Sequence, residues 1–287
     1  MTMRSIARKG AAVKRPGSWE FQAANTSSRS VGTDIDPIIT IDHFHIRTPQ
    51  FPPHPHAGFS ALTYLFEESE GPFMSRDSRG NTHVSRPGGF IWTVAASGVI
   101  HEEFPLEEGK LSHGLQVFVN LSAEEKKKAP QSLFVDGPDI PVVERDGVRV
   151  RIASGNHGGV SAAIAPPGDI TFLEVQLQAG SRFEHPLPAD QRALVYVIDG
   201  SVQVAGQELG ALEAASLAQN GDTIVIDAQA PARVVVIAGP PLREPLVQHG
   251  PFAMNSEADI NAAIERYHRG EMGRLEPFDT NNKEHHA

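Results

Sequence analysis

Three features of this chain predict an all-β protein: two tandem β-sandwich or barrel domains with a short C-terminal helix. Short apolar runs recur along the whole length, the 26 glycines and 22 prolines punctuate them, and a pair of segments from the first half returns in order in the second. Runs of about 4–8 residues rich in Val, Ile, Leu and Phe, bounded by turn residues, read as strands. Many of them in succession suggest sandwiches or barrels.

In the first half the runs are ITIDHFHI, SALTYLFE, FIWTV and LQVFVNL; in the second they are VRVRIA, ITFLEVQL, ALVYVID, SVQVAG, TIVID and ARVVVIAG. Helical signal is scarce. It is clearest from Ser256 to Arg269, where Ser256 can cap, Asp259 holds the reciprocal capping position, and Ile260, Ala263, Ile264 and Tyr267 share one face. A shorter helix is expected to start at Ser122 in SAEEKKKAP.

The repeat sets Ala61-Leu62-Thr63-Tyr64-Leu65-Phe66 against Ala193-Leu194-Val195-Tyr196-Val197-Ile198, each followed by an acidic residue. Downstream, Pro87-Gly88-Gly89-Phe90-Ile91 is answered by Asn220-Gly221-Asp222-Thr223-Ile224 at nearly the same offset. Such spacing predicts a duplicated β-domain, with residues 1–140 and 141–250 as the two copies and 251–287 as helix and tail. On this alignment His54 and His56 fall opposite Pro186 and Pro188, and His101 and Glu103 opposite Val234 and Val236. A polar quartet of the first half is therefore apolar in the second. A strand needs no histidine to fold, so the quartet points to chemistry.

Composition narrows that chemistry. The chain carries 25 Lys+Arg against 35 Asp+Glu, a formal charge of −10. A surface that tracks phosphates needs the opposite balance, so direct nucleic-acid binding is not expected. With no cysteine at all, disulfides and thiolate ligands are excluded and a metal would have to take His, Asp or Glu. The N-terminal MTMRSIARKGAAVKRPGSW is basic but lacks the apolar run of a signal peptide. No later segment approaches the roughly 20 apolar residues of a membrane span. The expected location is the cytoplasm.

Residues i and i+2 of a strand share one face, about 6.5–7 Å apart along the backbone. Two imidazoles so placed can converge on one ion at metal–nitrogen distances of about 2.0–2.1 Å. His54 and His56 in FPPHPHAGFS have this spacing, as do His101 and Glu103 in GVIHEEF, where Glu102 would face the other way. Two such pairs on neighbouring strands would give three nitrogens and a carboxylate, with coordination positions left open for chemistry. His43 and His45 in IDHFHIR share the spacing within a stronger strand pattern. Spacing alone leaves both histidine pairs open. His83, His113, His157, His249 and the His285-His286 tail have no partner at useful spacing and read as surface or core hydrogen-bonding residues.

Several ordered motifs carry a family resemblance. FPPHPHAGF at 51–59, RDSRGN at 76–81, the series Pro87, Gly88, Trp92, Ala95, Gly98, His101 and Glu103, and HGLQVFVNL at 113–121 resemble the pirin family of the cupin superfamily. PLREPLVQHGPFAMN at 241–255 looks like that family's second signature. The likeness runs from about Asp36 to Gly270.

The resemblance implies two cupin, jelly-roll-like domains face to face, with one divalent metal in the first. Iron(II) is the first choice, and Zn, Mn, Ni and Co also suit such donors. It implies His54, His56, His101 and Glu103 as ligands and leaves His43 and His45 near the site or structural. Many cupins take their carboxylate four residues after the second histidine; here Ser60 stands there, so Glu103 carries the role. Two positions depart from the family pattern, Ala57 in place of Arg and Ser75 in place of His, and both are expected at the site entrance.

The activity implied first is that of a flavonol (quercetin-type) dioxygenase, opening a diphenolic ring with O₂, with Glu103 as catalytic base. Trp92, Phe59 and Phe118 are candidates for an apolar wall or the neighbouring core. The alternative is a non-enzymatic regulator whose metal senses redox state and alters binding to a protein partner.

Overall fold

The structure is a computed structural model that describes residues 2–32 and 35–278, so the His285-His286 tail lies outside the described residues. It is built from antiparallel sheets. In the first unit a seven-stranded sheet runs in the order Gln131–Val135, Phe90–Val94, Phe59–Leu65, Ser112–Asn120, Ile38–Ile46, Phe21–Ser27, Val13–Lys14. A four-stranded sheet, His54–His56, Val99–Pro105, Phe73–Asp77, Thr82–Ser85, covers its inner face.

The second unit repeats this plan strand for strand. Its large sheet is ordered Ile6–Ala11, Glu213–Leu217, Arg192–Asp199, Ala232–Gly239, Thr171–Leu177, Val148–Ser154, Val142–Arg145. Its small sheet is Arg182–Pro186, Thr223–Asp227, Ser201–Val204, Gln207–Gly210. The sheets face each other as sandwiches and do not close into barrels.

Duplication is thus present, but one match in the sequence alignment is a strand out of place. By sheet order the counterpart of Phe90–Val94 is Glu213–Leu217, and the counterpart of Val99–Pro105 is Thr223–Asp227. Val234 and Val236 answer to the strand Ser112–Asn120 instead. The residues facing inward where the first unit has His101 and Glu103 are Ile224 and Ile226, both in the second unit's core with Phe183. Glycine turns before apolar strands recur throughout the chain, which is how the slip arises. The contrast survives at these two positions, while His185, paired with Ile224, keeps a buried histidine where the first unit has His54.

Period-two alternation explains how the units meet. From the first large sheet, Leu62, Tyr64, Trp92, Leu115 and Val117 point outward into a core shared with Phe172, Leu194, Tyr196, Val235 and Ile237 of the second. The second unit's alternate residues, Leu173, Val175, Val195, Val197, Val234 and Val236, fill its own interior. The first unit's alternates include Asp42, Thr63 and Gln116, and they border a cavity.

Both chain ends cross over. The basic N-terminal segment Ile6–Ala11 is a strand of the second unit's sheet, paired with Glu213–Leu217. The hairpin Val247–His249/Phe252–Met254 and the helix Glu257–His268 lie on the first unit, where Ala57, Phe252, Met254, Ile260 and Ala263 form a small core. Gly58 permits this docking: at φ 87° it leaves room for the Ala253 carbonyl, which a Cβ would meet at 1.9 Å. The helix begins as its sequence indicates, with Ser256 as N-cap accepting from the Asp259 amide at 3.2 Å and donating to the Asp259 carboxylate at 2.6 Å. The segment after Ser122 forms only one 3-10 turn, Glu125–Lys127, because Pro130 leaves no length for a helix.

Candidate metal centre

The strand His54–His56 pairs with Val99–Pro105 so that His101 lies opposite His54 and Val99 opposite His56. Alternation turns His54, His56, His101 and Glu103 to one side, and all four line a cavity of about 530 Å³. Glu102 faces the other way and pairs with Arg76 at 3.1 Å. Prolines at 52, 53 and 55 restrict the histidine-bearing strand.

The ligand atoms of His54, His56 and His101 lie within 4.8 Å of one another. Nε2 of His54 is 3.2 Å from Nε2 of His101. His54 donates through Nδ1 to the Pro52 carbonyl at 2.9 Å, so in the neutral ring Nε2 carries the lone pair. Burial keeps the rings neutral. It pushes His56 down to about 3, with His54 adding to the effect. It holds His101 well below the ordinary value, with His56 and then His54 contributing. His54 is lowered as well, mainly by burial. Three neutral imidazoles, His56 and His101 buried and His54 half-buried, with the Nε2 atoms of His54 and His101 in contact, are a donor set that fits a divalent metal ion.

Glu103 stands on the adjoining wall, outside the group of mutually close nitrogens. Its Oε2 accepts from Thr63 Oγ1 at 2.6 Å and from Gln116 Nε2 at 3.3 Å. Burial raises its pKa, opposed by hydrogen bonds from Thr63, Ser75 and Gln116. Thr63 and Gln116 are cross-strand partners. The signal for them was a polar residue at matching inward positions of two otherwise apolar strands. An Arg15–Asp42 ion pair at 2.8 Å also borders the cavity, with Asn25 donating to Asp42 at 3.0 Å.

The aromatic candidates separate. Phe118 lines the cavity with its ring 5.5 Å from that of His56, and Phe59 backs it at 4.6 Å. Trp92 points into the core between the units and is fully buried there. Phe51 and Phe73 complete the apolar wall. Of the two departures from the family pattern, Ala57 is not at the entrance. It is buried under the C-terminal hairpin, hydrogen-bonded through its backbone to Pro251 and Ala253. Ser75 sits directly across from Glu103.

His43 and His45 are on the far face of the sheet. Their strand sends Asp42, Phe44 and Ile46 toward the cavity and the two histidines away from it, to meet His113. The structure therefore separates the two histidine pairs that spacing could not.

Two family models match in tandem, "Pirin" over residues 21–119 and "Pirin C-terminal cupin domain" over 172–273. The chain belongs to the pirin family. It is 34% identical to a pirin-like protein of Arabidopsis thaliana over 272 residues, 90% of this chain and 83% of that one. Human pirin is 34% identical over 256 residues, 85% of this chain and 87% of its own. Among solved structures, a quercetin 2,3-dioxygenase from Acinetobacter baumannii superposes with a TM-score of 0.85 at 26% identity, covering 95% of this chain and 99% of that one. The two sandwiches are thus cupin-type domains of a pirin, with the histidine cluster in the first. Among the described residues no helix is long and apolar enough to cross a membrane.

Proposed function

We propose that this pirin is a mononuclear metal-dependent dioxygenase of the flavonol type, with iron(II) as the metal and a planar diphenol as the substrate. One observation carries the reading: three convergent imidazoles open onto a partly aromatic cavity of about 530 Å³. Pockets for drug-sized molecules span about 300–1,000 Å³. The likeness to a quercetin 2,3-dioxygenase agrees with it.

In this reading His54, His56 and His101 hold the ion and Glu103 completes the set. The ion supplies Lewis acidity that lowers the pKa of a phenolic hydroxyl and a route for O₂ chemistry. The protein does the rest. Phe51, Phe73 and Phe118 receive the flat rings and exclude water from the reacting face. Asn25 and the Arg15–Asp42 pair offer polar contacts to hydroxyl groups at the other end of the substrate. Glu103 accepts the phenolic proton: burial has raised its affinity for one, while Thr63 and Gln116 fix Oε2 and so the orientation of the carboxylate.

The test is turnover. Protein loaded anaerobically with iron and then given quercetin and O₂ is expected to consume the flavonol and release carbon monoxide. No loss of any of several flavonols and simpler diphenols would overturn the proposal. A ferrous-to-ferric change in affinity for a protein partner would then favour a regulatory role.

A further inference from the structure

On the far side of the same sheet His43, His45 and His113 bring their ligand nitrogens within 4.8 Å of one another. The fold makes this cluster as deliberately as the first. His45 and His113 are cross-strand partners, and their rings stack at 4.1 Å. His43 Nε2 lies 2.6 Å from His113 Nε2.

The outer nitrogens are tied down. His113 Nδ1 is 2.7 Å from the Glu68 carboxylate, which can only accept, so Nδ1 donates and Nε2 is bare in the neutral ring. His43 Nδ1 is 3.0 Å from the Tyr196 hydroxyl of the second unit. A carboxylate or hydroxyl behind each imidazole, fixing its tautomer and aim, is the arrangement found around histidines that bind metal. Glu68 is itself held by both terminal nitrogens of Arg233 at 2.6 and 2.7 Å. His45, half-buried, opens with His43 onto a separate cavity of about 550 Å³ that gives an ion a way in.

We infer that His43, His45 and His113 form a second metal site, taking a divalent transition-metal ion that favours nitrogen, of which Zn²⁺ is the simplest probe. With three imidazoles and no sulfur, its fourth position faces the cavity. Binding shifts the His43 proton from Nε2 to Nδ1, where the Tyr196 oxygen accepts it, so no proton need leave the protein. The 2.6 Å contact between the Nε2 atoms opens to about 3–3.5 Å around an ion with bonds of about 2.0–2.1 Å. Because Tyr196 and Arg233 come from the second unit, the ion would fasten the two units together. The inference is independent of the dioxygenase reading.

The test is equilibrium dialysis of the full-length protein against Zn²⁺, with metal counted per chain. His101→Ala, which disables the first site, is expected to retain one tightly bound ion. His45→Ala added to it should weaken that ion at least about 100-fold, while His83→Ala added instead should change nothing. Glu68→Gln, a positioning change, should weaken it about 10–100-fold. If His101→Ala does not fold, His54→Ala serves as the background. The inference is overturned if the background variant binds no more zinc than its His45→Ala derivative.

Discussion

Arg151 is the cation at the centre of the interface between the units, and replacing it with methionine is a stringent test of what holds them together. Its side chain is 4% exposed. It reaches Glu67 at 2.5 Å, the Tyr64 hydroxyl at 2.9 Å, the Gly88 carbonyl at 2.6 Å and the Gly137 carbonyl at 3.1 Å, and lies 3.5 Å from Glu174. Glu174 is wholly buried and accepts from Tyr64 at 2.5 Å. Methionine keeps much of the apolar contact but removes the guanidinium donor from the Gly88 and Gly137 carbonyls and leaves Arg233, 3.7 Å away, as the ion-pair partner of Glu174. Breaking one side of a buried ion pair costs about 3–5 kcal/mol. With a urea m-value of about 3 kcal/mol/M, the unfolding midpoint falls by about 1–1.7 M. Arg145, paired with Asp146 at the surface, is the control: Arg145→Met should move the midpoint by no more than about 0.3 M. A shift below about 0.5 M for Arg151→Met would refute the claim that this network, and not hydrophobic contact alone, secures the interface.

Three further outcomes are expected. Ser256→Ala removes the cap of the helix that covers Ala57 and should cost about 1 kcal/mol, seen as faster amide exchange over its first turn; unchanged exchange would deny the cap a role. Thr63→Val deletes the 2.6 Å hydrogen bond to Glu103, so the carboxyl pKa rises further and the acid limb of the dioxygenase pH profile should move to higher pH. An unmoved limb would remove Glu103 from proton transfer. Metal-free protein should lose stability as the pH falls below 6.5. His43 and His56 are lowered to about 3 in the folded state, so the unfolded chain takes up their protons first. Their stabilising effect is full above pH 6.5 and declines toward pH 3, by about 2–3 kcal/mol each between pH 6.5 and 4.5. Urea midpoints at pH 7.5, 6 and 5 read this directly, and a flat profile would contradict it.

What the sequence made legible follows from alternation. Every apolar run picked out as a strand is one, because half-buried strands must place apolar residues at every second position. The same rule kept Glu102 out of the site. Strands with little apolar content escaped. FQAANTS pairs on the outer side of a sheet and lines the cavity with polar groups, and IARKGA pairs with a strand more than 200 residues away, so neither carries a local signal. The second histidine cluster escaped for a related reason. His43 and His45 announce themselves by spacing, but His113 joins them only through the register of two strands, and Tyr196 only through the packing of one unit on another.

The most direct measurement of the central claim is anomalous diffraction at the iron edge from crystals of the iron-loaded protein. A peak in the first unit, about 2.0–2.2 Å from nitrogens of His54, His56 and His101 and open to the cavity, is the predicted result. Iron found elsewhere, with those three imidazoles unligated at saturating metal, would contradict it.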